Sequence, residues 1–268
     1  MSRCMALAWI TYKEGIRNRS VLGIVVFSLF ILGLNVAVAG FFMRDIGKVT
    51  VDMNLSALSF SGLLLVLFVG LNLMTKDIEK KTIHLVLSKP VSRVEYILGK
   101  YLGILLFVFM SQLILVGLCS ATVFLLRVLY PAYFGAFSWL TFFLACLFVY
   151  LKLAVMSAIV VFFSTVSTSS FVTLIFSICT YVVGQSIEEV VFYLKSGFAE
   201  DLSVQLKWFI DMVVYLVPNF SVFDFQLEAA HGLAIESERL LGSMGYGFAY
   251  VTLILLFASL IFQRREFN

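Results

Sequence analysis

Long apolar runs separated by short polar segments make up most of this chain. A helix needs about 20 apolar residues to cross a bilayer, and six runs reach or approach that length. They cover residues 21–42, 55–74, 97–126, 139–163, 171–187 and 244–262. The fifth run is short for a span. The pattern predicts an all-α membrane protein with six transmembrane helices, whose transmembrane domain occupies residues 21–268.

The segment before the first span, residues 1–20, has a weak helical periodicity. Met5, Trp9, Tyr12 and Ile16 share one helical face by their spacing. We therefore expect an amphipathic helix along the inner membrane surface, with its aromatic residues at the level of the lipid headgroups. A plain basic flank that orients the first span is the alternative. Residues 37–39 resemble a signal-peptide cleavage site, but the apolar run before them is longer than such peptides carry.

The segment between the last two spans, residues 188–243, differs from the rest of the chain. It carries nine acids, three bases and several aromatic residues, which predicts a mixed, partly helical extracytoplasmic segment. Its apolar stretch from Trp208 to Val217 contains Asp211 and is too short to cross a bilayer. This stretch either dips into the membrane and returns at Pro218, or forms a small amphipathic helix on the outer surface.

Composition and charge agree with the membrane assignment. Soluble domains carry about 25% charged residues, whereas this chain carries 13%, with 62% hydrophobic residues. The net charge of +3 is not gathered on a soluble basic domain, so nucleic acid is not an expected partner. With the N-terminus in the cytosol, the inner flanks hold twelve Lys and Arg residues and the outer flanks six. The positive-inside rule then predicts that both termini are cytosolic.

A charged segment between the second and third spans, residues 76–100, concentrates six of the nineteen Lys and Arg residues. We call it the island. Ser92 and Glu95 have the spacing of a capping box, and Pro90 disfavours helix at the residue before it. We expect the second span to continue as helix into the cytosol, the chain to stop before Pro90, and the third span to start near Arg93. Leu85 lies on an apolar cytosolic piece that needs a partner or the membrane surface to cover it. An ordinary basic inside loop is the alternative.

The island resembles the permeases of the ABC-2 class of ATP-binding-cassette transporters. The family pattern of an acid, a Thr, an LLSKP-like stretch, Ser-Arg and then Gly-Lys is matched, with Lys81 where relatives often have Gly. The matching residues are Glu79, Thr82, Leu87, Ser88, Pro90, Ser92, Arg93, Gly99, Lys100 and Gly103. The stretch YLVPNFSVFDF before the last span and the basic ending Arg264-Arg265 are also similar to this family.

The resemblance implies the permease subunit of an ABC transporter in the bacterial cytoplasmic membrane, most often an exporter. It implies an N-terminal elbow helix (1–20), six spans, and a cytosolic coupling segment (76–96) that docks on a separate ATPase subunit. ATP and Mg²⁺ would bind in that partner, and two permease copies, identical or different, would enclose the path, with an accessory extracytoplasmic protein as a further possible partner. The residues expected to couple to the ATPase are Glu79, Thr82, Leu85, Ser88, Pro90 and Arg93.

No motif in the chain predicts catalysis. It has no P-loop to hold ATP phosphates, and no cofactor or metal site is expected in this chain. Its four cysteines are too far apart for a metal pattern. Lys152 is the one charge deep in a span, which costs about 3 kcal/mol on insertion scales. It lines a path, pairs across helices, or snorkels toward an interface. Asn35, Asn72 and Gln112 are expected to form hydrogen bonds between helices.

Two other functions fit the six spans. An ion-coupled secondary transporter would need buried acids or broken helices at matching positions in two halves, and the sequence shows no such repeat. A membrane anchor or mechanotransmission subunit of an ABC-type complex would differ from a permease only in having no substrate path of its own.

Overall fold

The computed structural model describes residues 3–39, 45–79, 92–196 and 204–264, and these residues form helices without any strand. The α-helices are α1 (Arg3–Ile16), α2 (Arg19–Ala39), α3 (Ile46–Leu64), α4 (Leu71–Glu79), α5 (Arg93–Leu129), α6 (Trp139–Val166), α7 (Ser170–Lys195), α8 (Val204–Leu216), α9 (Gln226–His231) and α10 (Ser237–Arg264). A π-helix, Leu65–Gly70, joins α3 to α4, and 3₁₀ turns cover Pro131–Phe134 and Ser221–Phe223. The all-α prediction is confirmed.

Five helical stretches are long and apolar enough to cross a membrane. They are Ile46–Lys76, Arg93–Leu129, Trp139–Val166, Ser170–Lys195 and Ser237–Arg264. The pair α1 and α2 counts as a sixth candidate when taken together, although the two helices are bent by 61° at their junction. The fifth predicted span, which looked short, is extended by charged residues to a 26-residue helix. The described chain thus holds five to six spans, against the six predicted.

The second span is longer and less regular than its apolar run suggests. It starts at Ile46 and continues through the π-helix to Glu79, so the predicted helical extension toward the island is confirmed up to that residue. The π-helix was not predicted, because its sequence, Leu65–Gly70, has the hydropathy of any buried helix. Such π segments are rare and usually interrupt an α-helix locally.

Two spans form the centre of the bundle. In their most apolar windows, 78% of Trp139–Val166 and 72% of Ile46–Lys76 is buried by protein, compared with 22% of Ser170–Lys195 and 28% of Ser237–Arg264. α6 and the α3–α4 span are therefore enclosed by the other helices. α7 and α10 expose most of their surface, which membrane lipid or another chain would cover.

Polar side chains inside the bundle hold neighbouring helices together. Asn35 of α2 donates to the carbonyl of Thr50 in α3, and Gln112 of α5 donates to the carbonyl of Leu58 in α3. The hydroxyl of Ser28 donates to that of Ser61 at 2.8 Å. Asn35 and Gln112 thus behave as predicted, whereas Asn72 is exposed and borders a cleft.

The segment before the last span is helical in part, as expected. α8 exposes large apolar side chains, including Trp208 and Tyr215. The chain then turns inward at Pro218, and three aromatic residues, Phe220, Phe223 and Phe225, become fully buried. The amide of Phe220 donates to the carbonyl of Gly184 in α7. This return segment is therefore part of the bundle rather than a loose loop.

The contacts define two ends of the bundle. At one end, which we call the α1 end, Glu14 pairs with Lys76 and Arg93 contacts Phe262. At the opposite end, the α9 end, Gly47 packs on Tyr133. Gly232, in the left-handed conformation that favours glycine, packs there on the backbone of Ala136. The α1 end therefore gathers the first helix, both helices that flank the island, and the end of α10.

Candidate functional site

The start of α5 is fixed by the predicted capping box. The amide of Glu95 donates to the hydroxyl of Ser92 at 3.2 Å, and the amide of Ser92 donates to the Glu95 carboxylate at 2.8 Å. Each bond satisfies a backbone group that would otherwise have no partner in the first turn. The helix that leaves the island therefore starts within it at a defined residue, Arg93, as the sequence predicts.

Arg93 joins the start of α5 to the end of α10. Its guanidinium donates to the carbonyls of Phe262 at 3.0 Å and of Gln263 at 2.8 Å. A cation suits this position, because the last carbonyls of a helix carry partial negative charge. Directly behind it, the buried rings of Tyr96 and Phe262 stack with centroids 5.5 Å apart. The start of α5 is thereby attached to the end of the last span, α10.

Lys100 joins the same helix to the other flank of the island. Lys100 is 5% exposed, and its ammonium donates to the carbonyl of Leu73 in α4 at 2.8 Å. Its charge also lies 5.9 Å from the centroid of the Tyr96 ring. A buried cation with a carbonyl acceptor and an aromatic face is well solvated by protein. The helices that enter and leave the island are therefore bound to each other.

α1 packs along the first turns of α5 through small residues. Its buried residues are Ala8, Thr11 and Gly15. A side chain at Gly99 would meet Leu7 at 2.8 Å, and one at Gly103 would meet Thr11 at 2.5 Å. Gly99 and Gly103 have the G-x-x-x-G spacing that lets helices approach closely. Of the face predicted for the membrane surface, Met5, Trp9 and Ile16 are exposed. Tyr12, the fourth residue of that face, is partly buried and packs against the core.

The predicted coupling residues fall in three groups. Thr82, Leu85, Ser88 and Pro90 lie outside the described residues. Glu79 is the last residue of α4, and the described structure places its backbone only. Arg93 lies at the α1 end, half-buried and bonded to α10. Lys100 was counted in the sequence as a charge and as a match to the family pattern, but its bond to the carbonyl of Leu73 was not predicted.

Lys152 lies in the interior, away from the α1 end. It is 6% exposed, donates to the side-chain oxygen of Gln185 in α7 at 2.6 Å, and lies 5.4 Å from the centroid of the Tyr181 ring. The carbonyl of Gln185 accepts a bond from Ser221 in the return segment. Lys152 therefore pairs across helices, and it does so where α6, α7 and the return segment meet.

Comparison with known proteins decides the family. A family profile described as "ABC-2 family transporter protein" matches residues 5–267, nearly the whole chain. The chain belongs to the ABC-2 transporter family. No curated protein sequence matches it. As an ABC-2 permease it is a multi-pass membrane protein and the membrane subunit of an ABC transporter.

Family membership indicates which partners this chain has. ABC-2 permeases are transport components that do not themselves catalyse a reaction. The family implies an ABC ATPase as partner and a dimeric assembly. In the described structure, the flanks of the island are bound to α1, to each other and to α10.

Proposed function

We propose that this chain is the permease subunit of an ATP-driven exporter, moved by a separate ATPase that binds the island. The observation that carries the proposal is a pair of contacts. Arg93 attaches the start of α5 to the last span, and Lys100 attaches α5 to α4, so the two helices at the ends of the island are bound to each other. A push on the island would move α4, α5 and α10 together. The island, both termini and the ATPase would then lie in the cytosol, in keeping with the positive-inside bias of the sequence.

In this proposal, different residues bind the ATPase, transmit its motion and border the path. Glu79, Thr82, Leu85, Ser88 and Pro90 would contact the ATPase, and Arg93 would pass its motion to α10. ATP and Mg²⁺ would bind only in the partner. α1 would serve as the elbow helix, with Trp9 and Tyr12 at the headgroup level. The path would lie between two permease copies in the bacterial inner membrane, and Lys152 would border it or hold its wall.

The coupling part is tested by variants of the island in the intact complex. Tagged full-length chain is purified from native membranes with the ATPase that accompanies it, and ATP hydrolysis is measured after reconstitution. Leu85→Asp should remove the bound ATPase, and Glu79→Gln should lower hydrolysis without removing it. Leu233→Asp, an exposed loop position at the α9 end, is the matched control. Wild-type binding and hydrolysis in both island variants would refute the coupling assignment.

The direction of transport is tested in cells. Deleting the chain should raise one compound in the cells or the inner leaflet and lower it outside, when lipids and metabolites are compared with the parent strain. Restoring the chain should reverse both changes. A compound that instead falls inside the cells would make the chain an importer.

A further inference from the structure

A charged cleft opens at the α1 end between α1 and α4. Its volume is about 760 Å³, and its described lining consists of Ile10, Lys13, Glu14, Arg17, Asn18, Asn72, Leu73 and Lys76. Three of these residues are cations and one is an acid, so the lining carries a net charge of +2. Glu14 is already paired with Lys76. The excess positive charge therefore belongs to Lys13 and Arg17, and it favours an anionic ligand.

The two cations are well placed to act together. Lys13 and Arg17 are four residues apart, and the amide of Arg17 still donates to the carbonyl of Lys13, so both side chains lie on one side of the helix end. Both are exposed. The ammonium of Lys13 lies 5.5 Å from the Trp9 ring. Tryptophan is enriched at the level of the lipid headgroups, which puts this charge at the depth of lipid phosphates.

An apolar groove on the surface of the bundle borders the same residue, Asn72, as the cleft. The groove has a volume of about 240 Å³. Its other lining residues are Leu67, Phe68, Leu71, Ser170, Phe171 and Leu174. These residues come from the span that ends at the α1 end and from α7, which starts there. Charged side chains therefore line the cleft, the amide of Asn72 lies between the cleft and the groove, and mostly apolar side chains line the groove.

We propose that this cleft and groove bind one anionic phospholipid from the leaflet at the α1 end. The phosphate would lie against Lys13 and Arg17, and an acyl chain would lie in the groove beside Phe68 and Leu174. A soluble anion would use only the charged half, and a zwitterionic lipid would gain little from the excess charge. Basic pockets between membrane helices are suited to acidic headgroups. The proposal rests on the cleft alone and does not depend on export.

Native mass spectrometry of the full-length protein, titrated in detergent with dioleoyl phosphatidylglycerol, tests the site. The double variant Lys13→Gln/Arg17→Gln should bind this lipid about 30-fold more weakly, because each basic residue near an anionic lipid contributes about fivefold in affinity. The charge-keeping variant Lys13→Arg/Arg17→Lys should bind normally. Lys48→Gln/Lys195→Gln, which removes two cations elsewhere, should also bind normally. The wild-type affinity should fall as salt is raised.

Two further ligands distinguish an anionic phospholipid from a neutral lipid and from a soluble phosphate. Dioleoyl phosphatidylcholine has the same chains without net charge and should bind at least tenfold more weakly than phosphatidylglycerol to the wild type. Glycerol 3-phosphate has the phosphate without chains and should show no binding at the same concentration. Equal binding of either ligand, or unchanged phosphatidylglycerol binding in Lys13→Gln/Arg17→Gln, would overturn the proposal. Equal losses in the Lys48→Gln/Lys195→Gln control would assign the effect to overall charge instead.

Discussion

At the scale of single residues, three buried or half-buried cations hold the bundle together. Arg93 bonds carbonyls of α10, Lys100 bonds a carbonyl of α4, and Lys152 bonds a side chain of α7. Each has an acceptor within 3.0 Å, as a cation removed from water requires. The cost of burying these charges is thereby offset by bonds that connect different helices.

Lys152→Met should leave assembly intact and alter the ATPase activity that depends on transport. Methionine keeps the length and apolar bulk of the side chain, so the packing of α6 survives, while Gln185 and Tyr181 lose their cationic partner. Size-exclusion chromatography checks assembly, and ATP hydrolysis by the reconstituted complex checks function.

The control for this variant is Lys195→Met, which removes an exposed charge at the end of α7. It should hydrolyse ATP like the wild type. If Lys152→Met also showed unchanged hydrolysis, Lys152 would have no part in the mechanism and would serve packing alone.

At the scale of elements, α1 and α5 pack closely because two positions of α5 are glycines and carry no side chain. Gly99 and Gly103 leave room for the backbone of α1, where the carbonyl of Ala8 would lie 2.7 Å from a side chain at position 103. Close approach through small residues is how helices associate when the surrounding solvent is as apolar as they are. α1 is thus held by close packing of small residues, and its larger apolar side chains remain exposed.

Gly103→Val should loosen α1 from α5. The added carbon atoms meet Thr11 and the backbone of Ala8, and overpacking of this kind costs about 1–3 kcal/mol. The thermal midpoint in detergent should fall, and trypsin should cut sooner after Lys13 and Arg17. Gly117→Val, on the same helix but with nothing within 4 Å of the new side chain, is the control. Equal behaviour of the two variants would contradict this account of how α1 packs on α5.

At the scale of the whole molecule, the α1 end and the α9 end divide the chain's polar parts between two sides. The first helix, the island flanks and the end of α10 lie together at one end. The start of α3, the turn after α5 and the segment before α10 lie together at the other. α5 has 37 residues, so it is about 55 Å long and exceeds the hydrocarbon core. Its ends therefore reach into both polar regions.

Labelling of single cysteines from outside the cell tests this arrangement. In a background without native cysteines, positions 13 and 264 should be protected from an impermeant maleimide until the membrane is opened. Positions 48 and 195 should react at once. We expect this because the positive-inside rule predicts a cytosolic α1 end. Reaction at positions 13 and 48 from the same side would refute the topology.

Much of this arrangement could be predicted from local sequence. The spans were found because hydrocarbon excludes unpaired backbone groups, so every crossing segment must be a continuous apolar helix. The start of α5 was found because a capping box requires only residues three apart. The same reasoning did not find the π-helix, since Leu65–Gly70 has no side chain that marks it. It also did not find that Lys152 is paired with Gln185.

The sequence by itself determined that the chain is an all-helical membrane protein, where the third span begins, and which family the chain belongs to. Only the tertiary structure decided which spans are central, which face of α1 packs on α5, and that Arg93 meets α10, 169 residues away. The physical reason is that lipid tails are as apolar as leucine. Hydropathy therefore separates membrane from water, but it does not separate a face that contacts lipid from a face that contacts protein.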